Sequence, residues 1–398
     1  MYRQQFPNDP GMHNTMNQDS YTRVSYRRNP NFFERVGNSC VGIVVGFLLI
    51  TGAVFLLFWN EGRAVQTSKS LDEGLDNVVQ LKTVDVAFEH NNGKLVYLSG
   101  SLKTSEILRD DTYGVAVHAV KLKRNVEMYQ WVEHEHKREI NEGSNTRTET
   151  TYSYSQEWRS DVVNSGSFSS PYNHQNPNSM PVQTSMKQAN EVQVGNFYLS
   201  TNLLSKLSGF KKLMPREAPK DPSIFLLDGT FYHGSGQLTN PQVGDLRVTF
   251  HYAGLSGAES ASLGPPDVVS VIARQSGNSL SKYETEAGDD LEMLYMGQLT
   301  AEQIFQKEHM HNKVVTWGVR GGGWLLMFIG FGCFTSLITT LVDWIPIVRE
   351  LVAKGVTTMN LFLSISLSLT VIALGWIRYR PLLGMTILAL AATPFIWT

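Results

Sequence analysis

The chain has 398 residues and a formal net charge of −2, and 42% of its residues are hydrophobic. The near-neutral charge, without a stripe of Lys and Arg that carries interleaved aromatics, argues against nucleic acid as a direct ligand. The hydrophobic residues are clustered in long runs that contain almost no charge, which is typical of a chain that contacts both water and lipid.

The N-terminal part of the chain predicts a tail followed by a membrane span. Residues 1–40 are polar, with several arginines near the end, and we expect a disordered basic tail. Residues 41–59 form an apolar run of about 19 residues, which is enough to cross a hydrocarbon layer of about 30 Å as a helix. The run begins far from Met1 and no small-residue cleavage site closes it, so it predicts a signal anchor. Cys40 lies where the first span would meet the membrane surface, which suits S-palmitoylation, and a small apolar residue without modification is the alternative.

Residues 61–320 are predicted to form a large β-rich domain with helices at both ends. Apolar residues have helical spacing over 61–81 and then alternate with period two, as in a half-buried strand. A strand at 84–88 is followed by Asn-Asn-Gly at 91–93, which predicts a hairpin turn. Further strands are predicted at 115–122, 126–136, 150–158, 224–233, 246–252, 268–274 and 291–295.

Two polar stretches interrupt this pattern. Residues 137–149 are charged and contain glycine, which predicts a long hairpin tip, and residues 164–190 are rich in Ser, Asn, Pro and Gln, which predicts a surface loop. Thr300 and Gln303 have a weak capping-box pattern and predict the start of a helix that leads toward the second span. The two cysteines, Cys40 and Cys333, lie at or inside hydrophobic runs, so the domain itself has none to pair.

Three further apolar runs follow the domain. Residues 321–342 and 356–377 are long enough to span a bilayer and are separated by the polar loop 343–355. Residues 382–398 are shorter and predict a fourth span in a tight hairpin with the third. The predicted fold class is therefore an α+β membrane protein, with four transmembrane α-helices and a large β-rich soluble domain inserted between spans 1 and 2.

The distribution of Lys and Arg near the spans predicts the orientation. Basic residues in the tail and in the loop 343–355 favour the cytosolic side for both segments. With four spans, both termini then face the cytosol or nucleoplasm, and residues 61–320 face the lumen of the secretory system. Tryptophans near the predicted span ends are most simply interfacial anchors: Trp317, Trp324, Trp344 and Trp376.

Small and hydroxylated residues in the spans are candidates for helix packing. Gly42 and Gly46 form a GxxxG pattern in the first span, and Gly318 and Gly322 repeat the spacing at the mouth of the second. Such pairs favour homo-oligomerisation or packing within the helix bundle. The alternative interpretation is that these glycines face lipid and have no packing role. Hydroxyl pairs on one helix face predict hydrogen bonds across helices of about 1 kcal/mol each: Thr335 with Thr339, Ser336 with Thr340, and Ser364 with Ser368.

The same hydroxyl stripes can line a pore, so a channel or transporter subunit is the alternative function. Against it, no ionisable residue lies in the middle of a predicted span, where an ion or proton path would need one. A lumenal enzyme or ligand-binding module is a third hypothesis, which requires a deep pocket lined by convergent polar groups.

The sequence gives no pattern that favours catalysis or metal binding. His134 and His136 lie on one face of a predicted strand, but no third ligand follows at a suitable spacing, and a solvated hairpin surface is the simpler interpretation. His309 and His311 do not share a helix face. HExxH, GxSxG, P-loop and GxGxxG motifs are absent. We therefore predict no enzyme activity, no catalytic residues, no metal site and no cofactor.

Longer segments carry a resemblance to a known family. They are NEGRA at 60–64, VEMYQWVE at 126–133, YSY at 152–154, EWRS at 157–160, VGDLRV at 243–248, YAGLSG at 252–257, VIARQ at 271–275, TWG at 316–318, LVDW at 341–344 and YRPL at 379–382. Together they resemble the transmembrane protein 43 family, also called LUMA, of the inner nuclear membrane and endoplasmic reticulum. Blocks of this length extend from the first to the fourth span and are far more specific than a short catalytic motif.

The resemblance implies four spans, a large lumenal domain, self-association, and partnership with emerin and lamins in organising the nuclear envelope. We therefore expect a multi-pass scaffold of the endoplasmic reticulum and inner nuclear membrane, held in the lipid bilayer, with no nucleic acid among its partners. Family members usually continue past the position of Thr398 into a short basic tail. The resemblance therefore does not predict the contacts that such a tail would make.

Overall fold

The computed structural model describes residues 20–217, 221–234, 240–257, 263–342, 346–377, 382 and 385–390. Its helices are α1 (Phe32–Asn77), α2 (Thr201–Lys206), α3 (Ala301–Leu341) and α4 (Pro346–Ile377). Its strands are β1 (Ser20–Arg28), β2 (Val79–Gln80), β3 (Leu95–Lys103), β4 (Leu108–Asp110), β5 (Val115–Val117), β6 (Ala119–Glu142), β7 (Asn145–Arg159), β8 (Ser185–Gln188), β9 (Gln193–Val194), β10 (Phe197–Tyr198), β11 (Lys211–Lys212), β12 (Ile224–Leu227), β13 (Thr230–His233), β14 (Leu246–Leu255), β15 (Val268–Ser276), β16 (Ser279–Ser281), β17 (Tyr283–Glu284), β18 (Asp290–Leu291) and β19 (Met293–Met296).

Three of the described helices are long and apolar enough to cross a membrane, within Phe32–Asn77, Ala301–Leu341 and Glu350–Ile377. The first three predicted spans lie inside these helices. Of the fourth, at 382–398, the structure describes residues 382 and 385–390, and the remainder lies outside the described residues. α1 has 46 residues and α3 has 41, so each is about 60 to 70 Å long and extends well beyond a hydrocarbon layer of about 30 Å.

The apolar part of α1 has the surface of a lipid-facing helix. Large hydrophobic side chains along it are exposed rather than covered by protein, which water would penalise and lipid tails accept. On the covered side, a small cluster joins Ala53 and Leu57 of α1 to Met327 of α3 and Val371 of α4. The three helices therefore form one bundle with an apolar exterior.

The β domain is built from two large sheets. The first has eight strands in the order β1-β7-β6-β14-β13-β12, with β8 beside β6 and β11 beside β14. The second has seven strands in the order β19-β15-β16-β10-β9-β3-β2, and β15 pairs with β3 as well. One hydrophobic cluster contains side chains of both sheets, so the sheets pack against each other around a shared core.

The second sheet is buried on both faces, and the alternation of side chains along β15 shows this directly. Val269, Val271 and Ala273 face the core between the sheets. Ile272 faces the opposite way, into a second cluster that contains Leu71 of α1 and the start of α3. Because successive residues of a strand point to opposite faces, this sheet joins the β core to the membrane helices without a flexible linker.

The first sheet extends into a long arm, formed by β6 and β7 beyond the pair Met128 and Arg159. The pairing continues to Glu142 and Asn145, which makes the arm about 46 Å long. The predicted hairpin tip at 137–149 is therefore mostly strand, and the turn itself is the two residues between β6 and β7. Gly143 has a φ of 72°, a conformation that glycine adopts without strain.

The N-terminal tail at 1–40 was predicted to be disordered, and the structure contradicts this for residues 32–40, which belong to α1, and for residues 20–28. Residues 20–28 form β1, which pairs antiparallel with β7 from Ser20 opposite Ser153 to Arg28 opposite Asn145. Just after β1, the backbone N–H of Asn29 donates to the carbonyl of Ser144 at 2.8 Å. The tip of the arm therefore lies at the N-terminal end of α1, whereas the C-terminal end of α1 packs on the β domain.

This pairing has a consequence for the membrane. If residues 41–59 span a bilayer, β1 and the β domain are on opposite sides of it. The arm cannot cross the bilayer beside α1, because both faces of the arm carry charged side chains. Glu133 and Lys137 lie on one face, and His136 and Arg138 lie on the other. Insertion of α1 therefore requires β1 to separate from the arm.

Two other strand predictions were wrong in detail. Residues 84–88 are not a strand; this segment leads into a short 3-10 helix, Glu89–Asn91. The single strand predicted at 224–233 is a hairpin, because Asp228 and Gly229 both have positive φ and form a two-residue turn between β12 and β13.

Candidate functional site: a polar cluster at the domain-side end of the helix bundle

A buried ion pair joins all three membrane helices where they reach the β domain. Glu61 of α1 has no solvent exposure, and Arg320 of α3 donates to its two carboxylate oxygens from Nε at 2.7 Å and from Nη2 at 2.6 Å. The indole Nε1 of Trp376 in α4 donates to the same carboxylate. One side chain from each helix therefore meets at this point.

The geometry explains why a buried charge is tolerated at this position. The contact is bidentate, so the planar guanidinium satisfies both carboxylate oxygens at once. The Arg320 guanidinium also lies 4.9 Å from the ring centroid of Trp317 and 5.9 Å from that of Trp376, within the range of cation–π attraction. Removal of Arg320 would leave the Glu61 carboxylate buried and uncompensated.

A second layer of hydrogen bonds continues from this pair toward the β domain. Arg63 donates to the Asn312 side chain and to the Thr316 hydroxyl, both at 3.2 Å. Asn312 in turn donates to the carbonyl of Ala64 at 2.9 Å, and Asn60 donates to the carbonyl of Thr316. These bonds hold α1 and α3 in one register just outside the apolar part of the bundle.

A cleft of about 370 Å³ opens beside this cluster between α1 and α3. Its wall contains three cationic side chains, one carboxylate and two indole rings: Lys69, Lys313, Arg320, Asp72, Trp317 and Trp376. The Asp72 carboxylate is 3.3 Å from Nε2 of His309. The cleft therefore combines positive charge with aromatic surface at the level where the helices leave the apolar layer.

The structure places the four candidate glycines differently. A Cβ on Gly46 would lie 2.6 Å from the carbonyl oxygen of Gly330, so α1 and α3 approach closely there, and one on Gly42 would touch α3 at 3.5 Å. Gly318 and Gly322 have no neighbour within 4 Å of a Cβ among the described residues. The close approach on α3 instead uses Gly330 and Gly323, the latter against Leu57 of α1.

The candidate hydroxyl residues bond mainly within their own helices. Thr339, Ser364 and Ser368 each donate to a carbonyl three residues earlier, as helical Ser and Thr often do. Thr335 is the exception, because its oxygen accepts a bond of 2.7 Å from Nδ2 of Asn360 in α4. A further bond between helices, not predicted as such, joins Ser39 of α1 and Thr340 of α3 at 3.0 Å.

The histidine pairs form no metal cluster in the part of the chain that the structure describes. His134 contacts Ser155 and Glu157 on the arm. The residues that sequence reasoning missed are Glu61 and Arg320, which look like ordinary charges flanking a span and lie 259 positions apart. The available signal was their placement, one directly after span 1 and the other directly before span 2.

Comparison with known proteins gives a consistent result. The family model for transmembrane protein 43 matches residues 128–381, more than half of the chain. Human transmembrane protein 43 is 42% identical over 383 residues, which cover 96% of this chain and 95% of the human protein. The mouse protein has the same identity and coverage, and the Drosophila melanogaster transmembrane protein 43 homolog is 33% identical over 88% of this chain and 92% of its own length.

No solved structure matches the chain significantly. The family model covers the arm, α3 and α4, and the relatives match 88% to 96% of the chain, in agreement with the resemblance seen in the separate sequence blocks. The chain therefore belongs to the transmembrane protein 43 family.

Proposed function

We propose that this protein is a multi-pass membrane scaffold of the endoplasmic reticulum and inner nuclear membrane. It would act by binding other proteins rather than by catalysis, with its β domain in the lumen and its termini in the cytosol or nucleoplasm. The proposal is carried by the continuous connection between the helix bundle and the β domain. α1 and α3 are unbroken helices that extend from the apolar layer and pack against the second sheet.

A scaffold needs surfaces that stay fixed relative to the membrane. The packing of Leu71, Ile272 and Phe305 in one cluster and the buried Glu61–Arg320 pair both resist rotation of the domain relative to the helices. The arm adds a long exposed surface, since residues 134–153 belong to none of the three hydrophobic clusters. Together these features support a rigid platform with one long exposed arm.

Partners are proposed from the family resemblance: self-association, emerin and lamins. Lamins are nucleoplasmic, so in the proposed orientation they would be reached through the tail or the loop 343–355. A membrane protein such as emerin would be reached through the spans. The pore alternative gains no support from the described residues, because most of the span hydroxyls are bonded to their own helix backbones.

Co-purification of the full-length chain with a differently tagged second copy, emerin and lamins tests the proposal. A matched pair of variants separates the surfaces: one replaces residues 134–153 by a short Gly-Ser turn, and the other exchanges the apolar segments of α1 and α4 for unrelated spans. We expect the span variant to lose emerin and self-association while the arm variant keeps both. A wild-type chain that is monomeric and retains none of these partners would contradict the scaffold.

A further inference from the structure

We propose that the cleft beside the polar cluster binds the phosphate group of an anionic phospholipid, in the membrane leaflet that faces the β domain. The inference goes beyond the proposed scaffold function and depends only on the membrane insertion of the helices. It rests on the position of the cleft, on its charge and on donor groups that the protein itself leaves without partners.

The position of the cleft matches the headgroup layer. Trp317 is 68% exposed, and with Trp376 it marks the level of the interface, where amphipathic indoles are enriched. Lys313 lies seven residues from Arg320 along α3, about 10 Å further from the apolar layer. A headgroup layer is roughly 5 to 7 Å thick on each side of the hydrocarbon, and a lysine stem can bring its ammonium group closer to it.

The charge of the cleft favours an anion. Lys69, Lys313 and Arg320 line it together with one carboxylate, that of Asp72. That carboxylate has the imidazole of His309 at 3.3 Å, which limits its repulsion of a bound anion whenever the imidazole is protonated. The Glu61 carboxylate is fully buried and occupied by Arg320 and Trp376, so it does not compete for the two lysines.

Two donor groups in the cleft have no protein acceptor within the described part of the chain. Arg320 uses Nε and Nη2 for Glu61, and no described group accepts from its Nη1. Lys313 is exposed and forms no ion pair with any described acidic side chain. A phosphate has several strong acceptor oxygens and can bond to both groups, as it does at other Arg and Lys sites.

A lipid is favoured over free phosphate because the cleft continues into apolar surface. Ala64, Val65 and the two indole rings lie in the same wall, and the exposed apolar side chains of the bundle begin directly below. A phospholipid places its phosphate at the polar end and its glycerol and acyl chains along the apolar end. Inorganic phosphate would gain only the polar contacts.

The test uses the full-length chain in mild detergent, with dioctanoyl phosphatidylinositol as the anionic probe. Dioctanoyl phosphatidylcholine and inorganic phosphate serve as comparison ligands, and the concentration dependence of the unfolding midpoint gives the affinity. Native mass spectrometry counts bound lipid. Lys313→Ala removes one cation without touching the buried pair, and Lys82→Ala is the control at an exposed lysine outside the cleft.

We expect one phosphatidylinositol per chain, with affinity about tenfold weaker in Lys313→Ala and unchanged in Lys82→Ala. Phosphatidylcholine and inorganic phosphate should bind at least tenfold more weakly than phosphatidylinositol. The proposal is overturned if phosphatidylinositol does not bind, if phosphatidylcholine or inorganic phosphate binds as tightly, or if the two lysine variants behave alike.

Discussion

At the residue scale, the bidentate Glu61–Arg320 pair links α1 to α3 at the end of the bundle. It shows why charges next to membrane spans are hard to interpret from sequence. A Glu after one span and an Arg before another are usually solvated, and only the fold shows that these two are buried together. The hydrophobic spans were predictable because each signal is local, whereas this pair depends on which helices become neighbours.

The first prediction concerns this pair. Arg320→Ala leaves the fully buried Glu61 carboxylate without a counter-charge, which we expect to lower the free energy of unfolding by about 3 to 5 kcal/mol. Glu61→Ala should cost less, because the Arg320 side chain is 14% exposed and lines the cleft. The double variant Glu61→Ala/Arg320→Ala should lose less than the sum of the two single variants, because neither charge is then left unpaired. Thermal unfolding in detergent measures both effects.

The control for this prediction is Glu350→Ala. Glu350 pairs with Lys354 on the exposed surface of α4, where both side chains are about three-quarters exposed. Pairs of that kind contribute about 0 to 1 kcal/mol. If Arg320→Ala were as harmless as Glu350→Ala, the buried pair would not hold the bundle together.

The second prediction concerns pH. Burial lowers the pKa of His233, an effect that Asp221 partly opposes, and the ring contacts the Tyr113 hydroxyl at 2.8 Å. Burial also raises the pKa of Tyr113 to about 12, so this hydroxyl remains protonated. Below the ordinary histidine pKa of about 6.5, the unfolded chain takes up a proton that the folded chain resists, so stability should fall as the pH falls.

The variant His233→Gln removes this titration while keeping a side chain that can hydrogen-bond. Its unfolding midpoint should fall less than that of the wild type between pH 7.5 and pH 5.5, and His90→Gln, at an exposed position, should behave like the wild type. Burial also lowers the pKa of His251, so part of the pH dependence should remain. Identical pH profiles for His233→Gln and the wild type would refute the assignment.

At the scale of elements, sequence patterns located the helices and the long strands well and the turns less well. The first three predicted spans are long apolar runs, and β14 and β15 have strong apolar periodicity. The structure has helices and strands at these positions. The hairpin at 224–233 was missed because apolar residues continue on both sides of Asp228 and Gly229, which hides the turn signal. The extended pairing of β6 with β7 was missed because its outer half is polar and lacks a buried face.

The third prediction tests how α1 and α3 meet. Gly46→Leu places a side chain where a Cβ already lies 2.6 Å from the Gly330 carbonyl oxygen, so the helices must separate. We expect a loss of about 1 to 3 kcal/mol or more. Gly52→Leu, in the same helix with no neighbour within 4 Å, should have little effect on thermal unfolding in detergent.

The same pair of variants separates packing within one chain from association between chains. If Gly46 served mainly a contact with a second copy, Gly46→Leu would reduce the molecular mass of the detergent complex and leave the unfolding midpoint of the chain unchanged. Loss of stability without a change in mass supports the intramolecular contact between α1 and α3.

At the scale of the whole molecule, the position of β1 follows neither from its own sequence nor from the predicted membrane insertion of α1. Residues 20–28 are mostly polar and basic, and only Val24 and Tyr26 alternate as larger apolar side chains on one face, which is a weak strand signal. The structure nevertheless pairs residues 20–28 with β7, 117 to 133 positions away in sequence, and a bilayer around α1 forbids that pairing within one chain. The orientation of the chain in the membrane is therefore established by determining which compartment contains the arm and which contains the tail.

The orientation of the chain is tested by acceptor sites for N-linked glycans in the arm and in the tail, introduced one at a time. Arg147→Ser creates an Asn-Thr-Ser sequon at Asn145, which is exposed at the tip of the arm, and Asp19→Ser creates one at Asn17 in the tail. With the β domain in the lumen and β1 released from the arm, we expect a glycosidase-sensitive mass increase for Arg147→Ser and none for Asp19→Ser. Modification of the tail but not of the arm would place the β domain in the cytosol. Modification of both would show that α1 does not separate the arm from the tail. Either result would contradict a lumenal β domain with a cytosolic tail.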